Sequence, residues 1–264
     1  MPDIHSTTTG PGLSAAKSIV MVHGAFAGAW CFEVFRGVFR DLGWTVHDPD
    51  LKGHGVAVGT GQDLVGVGMA DYRADLTAFL QGFPEPPVLL GHSMGGVLVQ
   101  QLAADGLARA LVLVDAAPRA GILPSTDSER TAAQGLMSLG PFWTTVVHPN
   151  FAVAAGDSLN GVPADERRAV FDRFGPESGR ALFELFFWML DRTKATAVDV
   201  GAVRCPVLCV SGREDRIVSP ETARASVSAF RYGTYREAPG HGHMLLVEPG
   251  AADIARSIAE WLPV

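Results

Sequence analysis

The chain has 264 residues, 47% of them hydrophobic and 19% charged, and its formal net charge at pH 7 is -7. A chain of this length and apolar content can bury one large core, so we expect one principal domain with room for an inserted subdomain. The basic residues are scattered along the chain and form no patch or stripe, which excludes nucleic acid as a partner.

Apolar runs of strand length alternate with amphipathic segments of helix length through the first 114 residues. In chain order the predicted elements are a strand at 18–22, a helix at 30–42 closed by Gly43, a strand at 45–51, a helix at 71–83, a strand at 87–90, a helix beyond residue 96 and a strand at 108–114. This alternation predicts an α/β fold in which a mostly parallel sheet carries helices on both faces.

The alternation of predicted strands and helices stops after residue 118. It resumes with predicted strands at 205–210 and 232–237 and a closing helix at 251–262. A structureless loop of about eighty residues is improbable inside a compact domain. We therefore predict a core formed by residues 1–118 and 203–264, with a mostly helical cap at 119–202 inserted before the penultimate strand. The cap is expected to cover the strand ends where open α/β sheets bind ligands.

The segment Gly91-His92-Ser93-Met94-Gly95 has the pattern G-x-S-x-G, with an apolar strand before it and a helix after it. Its glycines allow a sharp turn that holds the serine hydroxyl out of the sheet at a helix N-terminus. The helix dipole and free amide groups there favour developing negative charge. We predict that Ser93 is a nucleophile, and the alternative is a glycine-rich turn without chemistry.

A serine nucleophile needs a base and an acid that orients the base. After such a turn the chain order is serine, acid, histidine, which points to the C-terminal pair His241 and His243. We select His243, because it opens onto the segment that leads to the last helix, and interpret His241 as a solvent-facing loop residue. Asp215 is the predicted acid. Its neighbour Glu214 and the earlier Asp115 are the rivals.

The turn that follows the first predicted strand, His23-Gly24-Ala25-Phe26, reaches the same edge of the sheet as Ser93. A backbone amide from this turn can join the amide of Met94 to form an oxyanion hole, where each donor typically supplies a few kcal/mol of transition-state stabilisation. We predict that the substrate oxygen binds the N–H groups of Ala25 and Met94, with Phe26 next in line.

Three other conspicuous features are interpreted as structural. His92 is expected to be a hydrogen-bonded residue beneath the serine turn. His54 is expected to shape its own loop, and the aromatic residues between 183 and 188 to form the core of the cap.

Five segments together resemble the α/β-hydrolase superfamily of the serine esterase type, over nearly the whole chain. They are His23-Gly24, 50–55, 91–96, 212–215, and Gly242-His243 through Glu248-Pro249. The stretch 22–31 resembles small esterases related to plant methyl esterases and hydroxynitrile lyases. Those lyases place a lysine beside the catalytic histidine, whereas Met244 follows His243 here, so the resemblance implies ester hydrolysis.

The implied activity is that of a carboxylesterase-like serine hydrolase, which cleaves a carboxylic ester or lactone through an acyl-enzyme on Ser93. The implied partner is a small ester or lactone with an apolar group, and no cofactor or metal is required. Related dehalogenases and epoxide hydrolases use an aspartate nucleophile, so Ser93 excludes both. A carbon-carbon bond hydrolase or a cofactor-free perhydrolase would use the same three side chains, and a non-catalytic ligand receptor is a further alternative.

Cysteine usage and the start of the chain indicate the compartment. Cys31, Cys205 and Cys209 have neither metal-ligand spacing nor a C-x-x-C pair. Residues 1–16 lack the basic start and apolar run of a secretory signal, and no stretch approaches the roughly 18 apolar residues of a membrane span. The expectation is a cytoplasmic protein without a membrane partner.

Overall fold

The computed structural model describes residues 17–55 and 61–262, and its centre is a six-stranded parallel sheet. The strands of the structure are β1 Ser18–Val22, β2 Thr45–His47, β3 Val88–His92, β4 Ala110–Val114, β5 Val146–Val147, β6 Glu177–Ser178, β7 Val207–Gly212 and β8 Gly233–Ala238. The order across the large sheet is β2-β1-β3-β4-β7-β8, while β5 and β6 pair separately as an antiparallel two-stranded sheet.

Helices cover both faces of the large sheet. The helices on the sheet faces are α1 Glu33–Asp41, α2 Met69–Leu80, α3 Met94–Ala104, α8 Pro220–Val227 and α9 Ala251–Trp261. The segment between β4 and β7 contains α4 Asp127–Met137, α5 Phe151–Gly156, α6 Arg167–Phe171 and α7 Gly179–Phe186. In β1, Ile19 and Met21 join the apolar cluster of α1 and α9. Val20 and Val22 join the cluster of α2, α3 and α8 on the other face. Both faces are buried, which explains the continuous apolar strands and confirms the predicted α/β fold.

The second predicted strand and the first predicted helix differ from the elements observed. The strand predicted at 45–51 ends at His47, because Pro49 has no N–H to donate to a ladder. The acidic neighbours of Pro49 bind elsewhere: Asp48 pairs with Arg36, and Asp50 Oδ1 accepts the Ala29 N–H at 2.7 Å. The helix predicted at 30–42 begins with a 3₁₀ turn at Ala29–Phe32 before α1.

Residues between β4 and β7 form α4 to α7 together with the small β5-β6 sheet, which the sequence did not predict. This segment packs next to the turn after β1. Phe142 and Leu182 of the segment form an apolar cluster that includes Ala25 and Phe26, and the Gly175 N–H donates to the Phe26 carbonyl at 2.8 Å. The boundaries of a cap at 119 and 202 stay a prediction.

A buried polar cluster joins the inserted segment to the sheet domain. His54 Nε2 lies 3.0 Å from Glu177 Oε2, and the Tyr72 hydroxyl donates to Glu177 Oε1 at 2.7 Å. His54 also hydrogen-bonds the Lys52 carbonyl through Nδ1 at 3.0 Å. His54 therefore shapes its loop, as expected, and also ties that loop to Glu177 across the interface.

His54 and Glu177 each stabilise the charged form of the other. Burial disfavours the charged imidazole, but the Glu177 carboxylate and its hydrogen bond outweigh burial and raise the pKa of His54. Burial likewise opposes ionisation of Glu177, yet His54 and the neighbouring donors lower the pKa of that carboxyl group. The pair is consequently an ion pair in the folded protein.

Replacing Glu177 with glutamine is expected to lower the free energy of unfolding by about 3 kcal/mol at pH 5.5, because the substitution breaks a buried ion pair. The raised pKa of His54 stabilises the fold fully below its ordinary value of 6.5 and less as pH rises through the folded value. The lowered pKa of Glu177 stabilises the fold above its ordinary value of 4.5 and less as pH falls through the folded value.

Urea unfolding of both proteins at pH 5.5 and pH 9 checks this expectation. The difference between wild type and Glu177→Gln should be larger at pH 5.5. Asp127→Asn, which breaks an exposed ion pair with Arg130, serves as the control and should change stability little. An equal loss at both pH values would contradict the ion-pair account.

The expectation for residues 1–16 lies outside the described residues. Within the part of the chain that the structure describes, no helix combines the length and the apolar character needed to cross a bilayer.

Candidate active site

The turn between β3 and α3 presents Ser93 at the carboxyl edge of the sheet. Ser93 has φ 49° and ψ -122°, a conformation that is strained for any residue with a side chain. The flanking glycines are required by close backbone contacts. A Cβ on Gly91 would lie 2.5 Å from the Gly95 carbonyl oxygen, and a Cβ on Gly95 would lie 2.3 Å from that of Val22. The helix can therefore approach the sheet closely enough to hold the serine hydroxyl above the strand ends.

Ser93, His243 and Asp215 lie together at this edge. His243 Nε2 is 3.0 Å from Ser93 Oγ, and His243 Nδ1 is 2.9 Å from Asp215 Oδ2. The three residues follow β3, β7 and β8, whose carboxyl ends meet at the same edge because the sheet is parallel. The structure thus brings together the three side chains that the sequence predicts as nucleophile, base and acid.

Hydrogen bonds fix the Asp215 carboxylate. Its Oδ1 accepts the N–H groups of Ile217 at 2.7 Å and Val218 at 3.0 Å, which leaves Oδ2 to face the imidazole of His243. A carboxylate in this position accepts a proton-bearing Nδ1 and selects the tautomer whose Nε2 is unprotonated. The arrangement therefore points a lone pair of His243 at the Ser93 hydroxyl.

The backbone of His243 has its own support from the residue before the nucleophile. His92 Nε2 donates to the His243 carbonyl at 2.9 Å. Burial and the neighbouring His243 lower the pKa of His92 to about 3, so His92 is neutral. His92 is expected to be hydrogen-bonded, and its Nε2 is. Its Nδ1 has no hydrogen-bond partner among the described groups.

The turn after β1 passes directly beside the nucleophile. A Cβ on Gly24 would lie 2.7 Å from the Cβ of Ser93. His23 fixes the turn, because its Nδ1 donates to the Gly24 carbonyl at 2.8 Å and its Nε2 accepts the Leu51 N–H at 3.0 Å. Burial and His54 lower the pKa of His23 to about 3, which keeps it in this neutral tautomer.

The predicted oxyanion donors lie in the turn after β1 and at the start of α3. Ala25 and Phe26 continue the turn after Gly24, and Phe26 has φ 63°. Met94 is buried at the first position of α3, where backbone N–H groups lack partners within the helix. Their assignment as oxyanion donors remains a prediction.

The rival residues lie around the site in different roles. His241 is half-buried, in contrast to the expected solvent-facing position, because its ring packs against Gly250. Glu214 is exposed, whereas Asp215 is buried. Asp115 is fully buried and lies beside Asp215. The sequence indicated Asp115 only as a rival acid, and its position directly after a buried neighbouring strand was the one available signal.

Aromatic side chains of the inserted segment lie next to the turn after β1. The ring centroids of Phe142 and Phe187 are 6.0 Å apart, and Phe183 stacks on Phe187 at 5.8 Å. Ala25 and Phe26 belong to the same apolar cluster. These aromatic residues therefore pack against each other, and their cluster also includes the residues that border Ser93.

The site offers no ligand set for a metal ion. Among residues 17–55 and 61–262, no group of three or more histidine, cysteine or acidic side chains is arranged to hold one.

Comparison with known proteins agrees with this geometry. The model of the alpha/beta hydrolase family matches residues 19–255, which include Ser93, Asp215 and His243. The chain belongs to the alpha/beta hydrolase family. The predicted resemblance to this superfamily is confirmed.

Two curated relatives carry the names of a hydrolase and an esterase. A pyrethroid hydrolase of Sphingobium wenxiniae is 32% identical over 111 residues, which are 41% of this chain and 39% of that protein. Methylesterase 9 of Arabidopsis thaliana is 34% identical over 91 residues, which are 34% of each chain. The alignments span well under two thirds of either relative.

A solved alpha/beta hydrolase structure extends the likeness to the whole fold. The monoacylglycerol lipase of Paleococcus ferrophilus superposes with a TM-score of 0.73 and covers 98% of both chains. The sequence identity is 21%, so this comparison shows a shared fold and no more.

Proposed function

We propose that this protein is a carboxylic ester hydrolase that cleaves an ester or lactone through an acyl-enzyme on Ser93. The observation that carries the proposal is the continuous chain of contacts from Ser93 Oγ to His243 Nε2 at 3.0 Å and from His243 Nδ1 to Asp215 Oδ2 at 2.9 Å. This geometry is what proton removal from a serine hydroxyl requires.

In the proposed first half-reaction, Ser93 Oγ attacks the ester carbonyl carbon while its proton passes to His243 Nε2. The imidazolium that forms is stabilised by the Asp215 carboxylate. The carbonyl oxygen becomes an oxyanion and binds the N–H groups of Ala25 and Met94, with Phe26 as the next donor. Collapse of the tetrahedral intermediate expels the alcohol, which takes the proton from His243.

The second half-reaction repeats the proton path with water. His243 removes a proton from water, the hydroxide attacks the acyl carbon, and the acid leaves as Ser93 recovers its proton. Neutral His92 supports this cycle, because its hydrogen bond to the His243 carbonyl is independent of the charge on the imidazole of His243.

An ester with an apolar group is the proposed substrate class. The aromatic cluster of Phe142, Phe183 and Phe187 adjoins Ala25 and Phe26, so apolar surface lies close to the place where the acyl group would sit. The names of the relatives, a pyrethroid hydrolase and a methylesterase, agree with this class. We also propose that residues 119–202 act as the cap that supplies this surface.

Labelling with a fluorophosphonate probe, combined with a panel of p-nitrophenyl esters, tests the function. We expect stoichiometric labelling of a single serine, Ser93, and turnover of at least one ester in the panel. A vinylogous diketone in the same assay tests the carbon-carbon hydrolase alternative. A protein that neither reacts with the probe nor cleaves any ester would be a ligand receptor on this fold, which would contradict the proposal.

A further inference from the structure

A second buried carboxyl group accompanies the acid that orients His243. Asp115 directly follows β4, and its N–H donates to the Val210 carbonyl of the neighbouring β7 at 2.9 Å. Its side chain is completely buried. Asp115 Oδ1 accepts the Gly212 N–H at 2.7 Å, and its φ of 41° is unusual for a residue other than glycine. The fold therefore holds this carboxyl group in a defined and costly position.

The surroundings of the other oxygen, Asp115 Oδ2, are unfavourable for an ionised carboxylate. Among the described residues no donor reaches Asp115 Oδ2. Asp215 lies three positions beyond Gly212, whose N–H binds Asp115 Oδ1, at the end of the strand that pairs with β4, and its charge acts on Asp115. Two ionised carboxylates repel and cannot form a hydrogen bond, whereas one shared proton satisfies both groups.

The partners of each group show where the shared proton belongs. Asp215 already accepts hydrogen bonds from Ile217, Val218 and His243, which together stabilise a negative charge. Among the residues that the structure describes, Asp115 accepts a single hydrogen bond, from Gly212.

The electrostatic surroundings of Asp115 favour the same placement. Burial, then Asp215, and then Glu248 raise the pKa of Asp115, and the Gly212 N–H alone opposes them. The buried thiol of Cys209 also faces Asp115, and burial and this neighbour raise its pKa, so it is neutral as well.

We propose that Asp115 is a neutral carboxylic acid that donates a hydrogen bond to the Asp215 carboxylate. Asp115 is thus a positioning residue, which acts on His243 through Asp215. Its donated bond holds Asp215 in place and shares part of the negative charge that faces the imidazole. The catalytic consequence of this arrangement rests on the proposed function, but the protonation of Asp115 does not.

Asparagine at position 115 reproduces the hydrogen bonds of a neutral acid. Its amide oxygen can accept the Gly212 N–H, and its NH2 group can donate to Asp215. We therefore expect Asp115→Asn to keep kcat within about threefold of wild type and to leave the acid limb of the kcat/KM pH profile in place. If Asp115 were ionised, loss of its charge would move that limb to lower pH by about one unit.

Two further variants are compared with Asp115→Asn. Asp115→Leu keeps the branching and the number of side-chain heavy atoms but removes the donor, so kcat should fall about tenfold and the acid limb should move to higher pH, because the Asp215 charge is no longer shared. Asp215→Asn makes the same chemical change on the neighbouring carboxyl group and should remove most activity. A loss in Asp115→Asn as large as that in Asp215→Asn would overturn the proposal, as would the downward shift of the acid limb.

Infrared spectroscopy tests the proton without any substrate. A buried protonated carboxyl group should give a carbonyl band at neutral pH that is lost in Asp115→Asn. The matched control is Glu248→Gln, because burial also raises the pKa of Glu248, and the Asp115 band should persist in this variant.

The absence of the band from wild type, or its loss in Glu248→Gln alone, would refute the shared proton. A band that behaves as expected in a protein that cleaves no ester would leave the pair intact and refute the proposed function instead.

Discussion

Substitution of Ser93 by alanine is expected to lower kcat for ester hydrolysis by a factor of about 10⁴ or more, because no other group can form the acyl-enzyme. The hydroxyl is the atom that faces His243 Nε2 at 3.0 Å. Residual turnover would come from water in a site that still binds substrate and oxyanion. Steady-state kinetics with a p-nitrophenyl ester measure the effect.

The alanine variant should fold normally, since Ser93 contributes its hydroxyl to no structural bond other than that to His243 within the described residues. Thermal unfolding and loss of fluorophosphonate labelling check this. Ser228→Ala, which removes an exposed hydroxyl at the end of α8, is the matched control and should behave as wild type. Activity in the Ser93 variant comparable to that control would eliminate the acyl-enzyme mechanism.

Substitution of Asp215 by asparagine is expected to lower kcat by about 10³- to 10⁴-fold with little change in structure. The amide oxygen can still accept the N–H groups of Ile217 and Val218. The amide NH2 group then faces His243 Nδ1 and donates to it, which forces the proton onto Nε2. An Nε2 that carries a proton cannot accept the one on Ser93.

Kinetics across pH 5 to 9 measure this loss, and binding of a substrate analogue should be unchanged. The matched control is Glu214→Gln, because Glu214 is the adjacent acid and is exposed. If the Glu214 variant lost more activity than the Asp215 variant, the orienting acid would have been assigned to the wrong residue.

The sequence predicted that Ser93, His243 and Asp215 lie together because each has strong local context. Ser93 lies in a turn that requires glycines at 91 and 95, because a Cβ at either position would lie 2.5 Å or less from a backbone oxygen. Asp215 follows the apolar strand β7, and chain order separates both Asp215 and His243 from most rivals. His241 is less exposed than predicted, because its ring lies close to Gly250. Nothing in the local sequence pattern indicates this contact.

Interactions between distant segments could not be predicted from the sequence. His54 and Glu177 are 123 positions apart, and neither has a neighbouring residue that identifies the other. The small β5-β6 sheet has strands of two residues, too short for any periodicity to be visible. The proton between Asp115 and Asp215 likewise depends on strand order, since β4 and β7 are neighbours in space but are separated by the whole inserted segment.

The base of the proposed reaction follows β8, which is the outermost strand on its side of the sheet and is largely accessible to solvent at its start. Edge segments of this kind open with less free energy than the interior of a domain. Brief detachment of β8 would carry His243 away from Ser93 while the central strands stayed folded. The site would then lose its base before the centre of the sheet unfolds, so heat inactivation should precede the melting of the central strands.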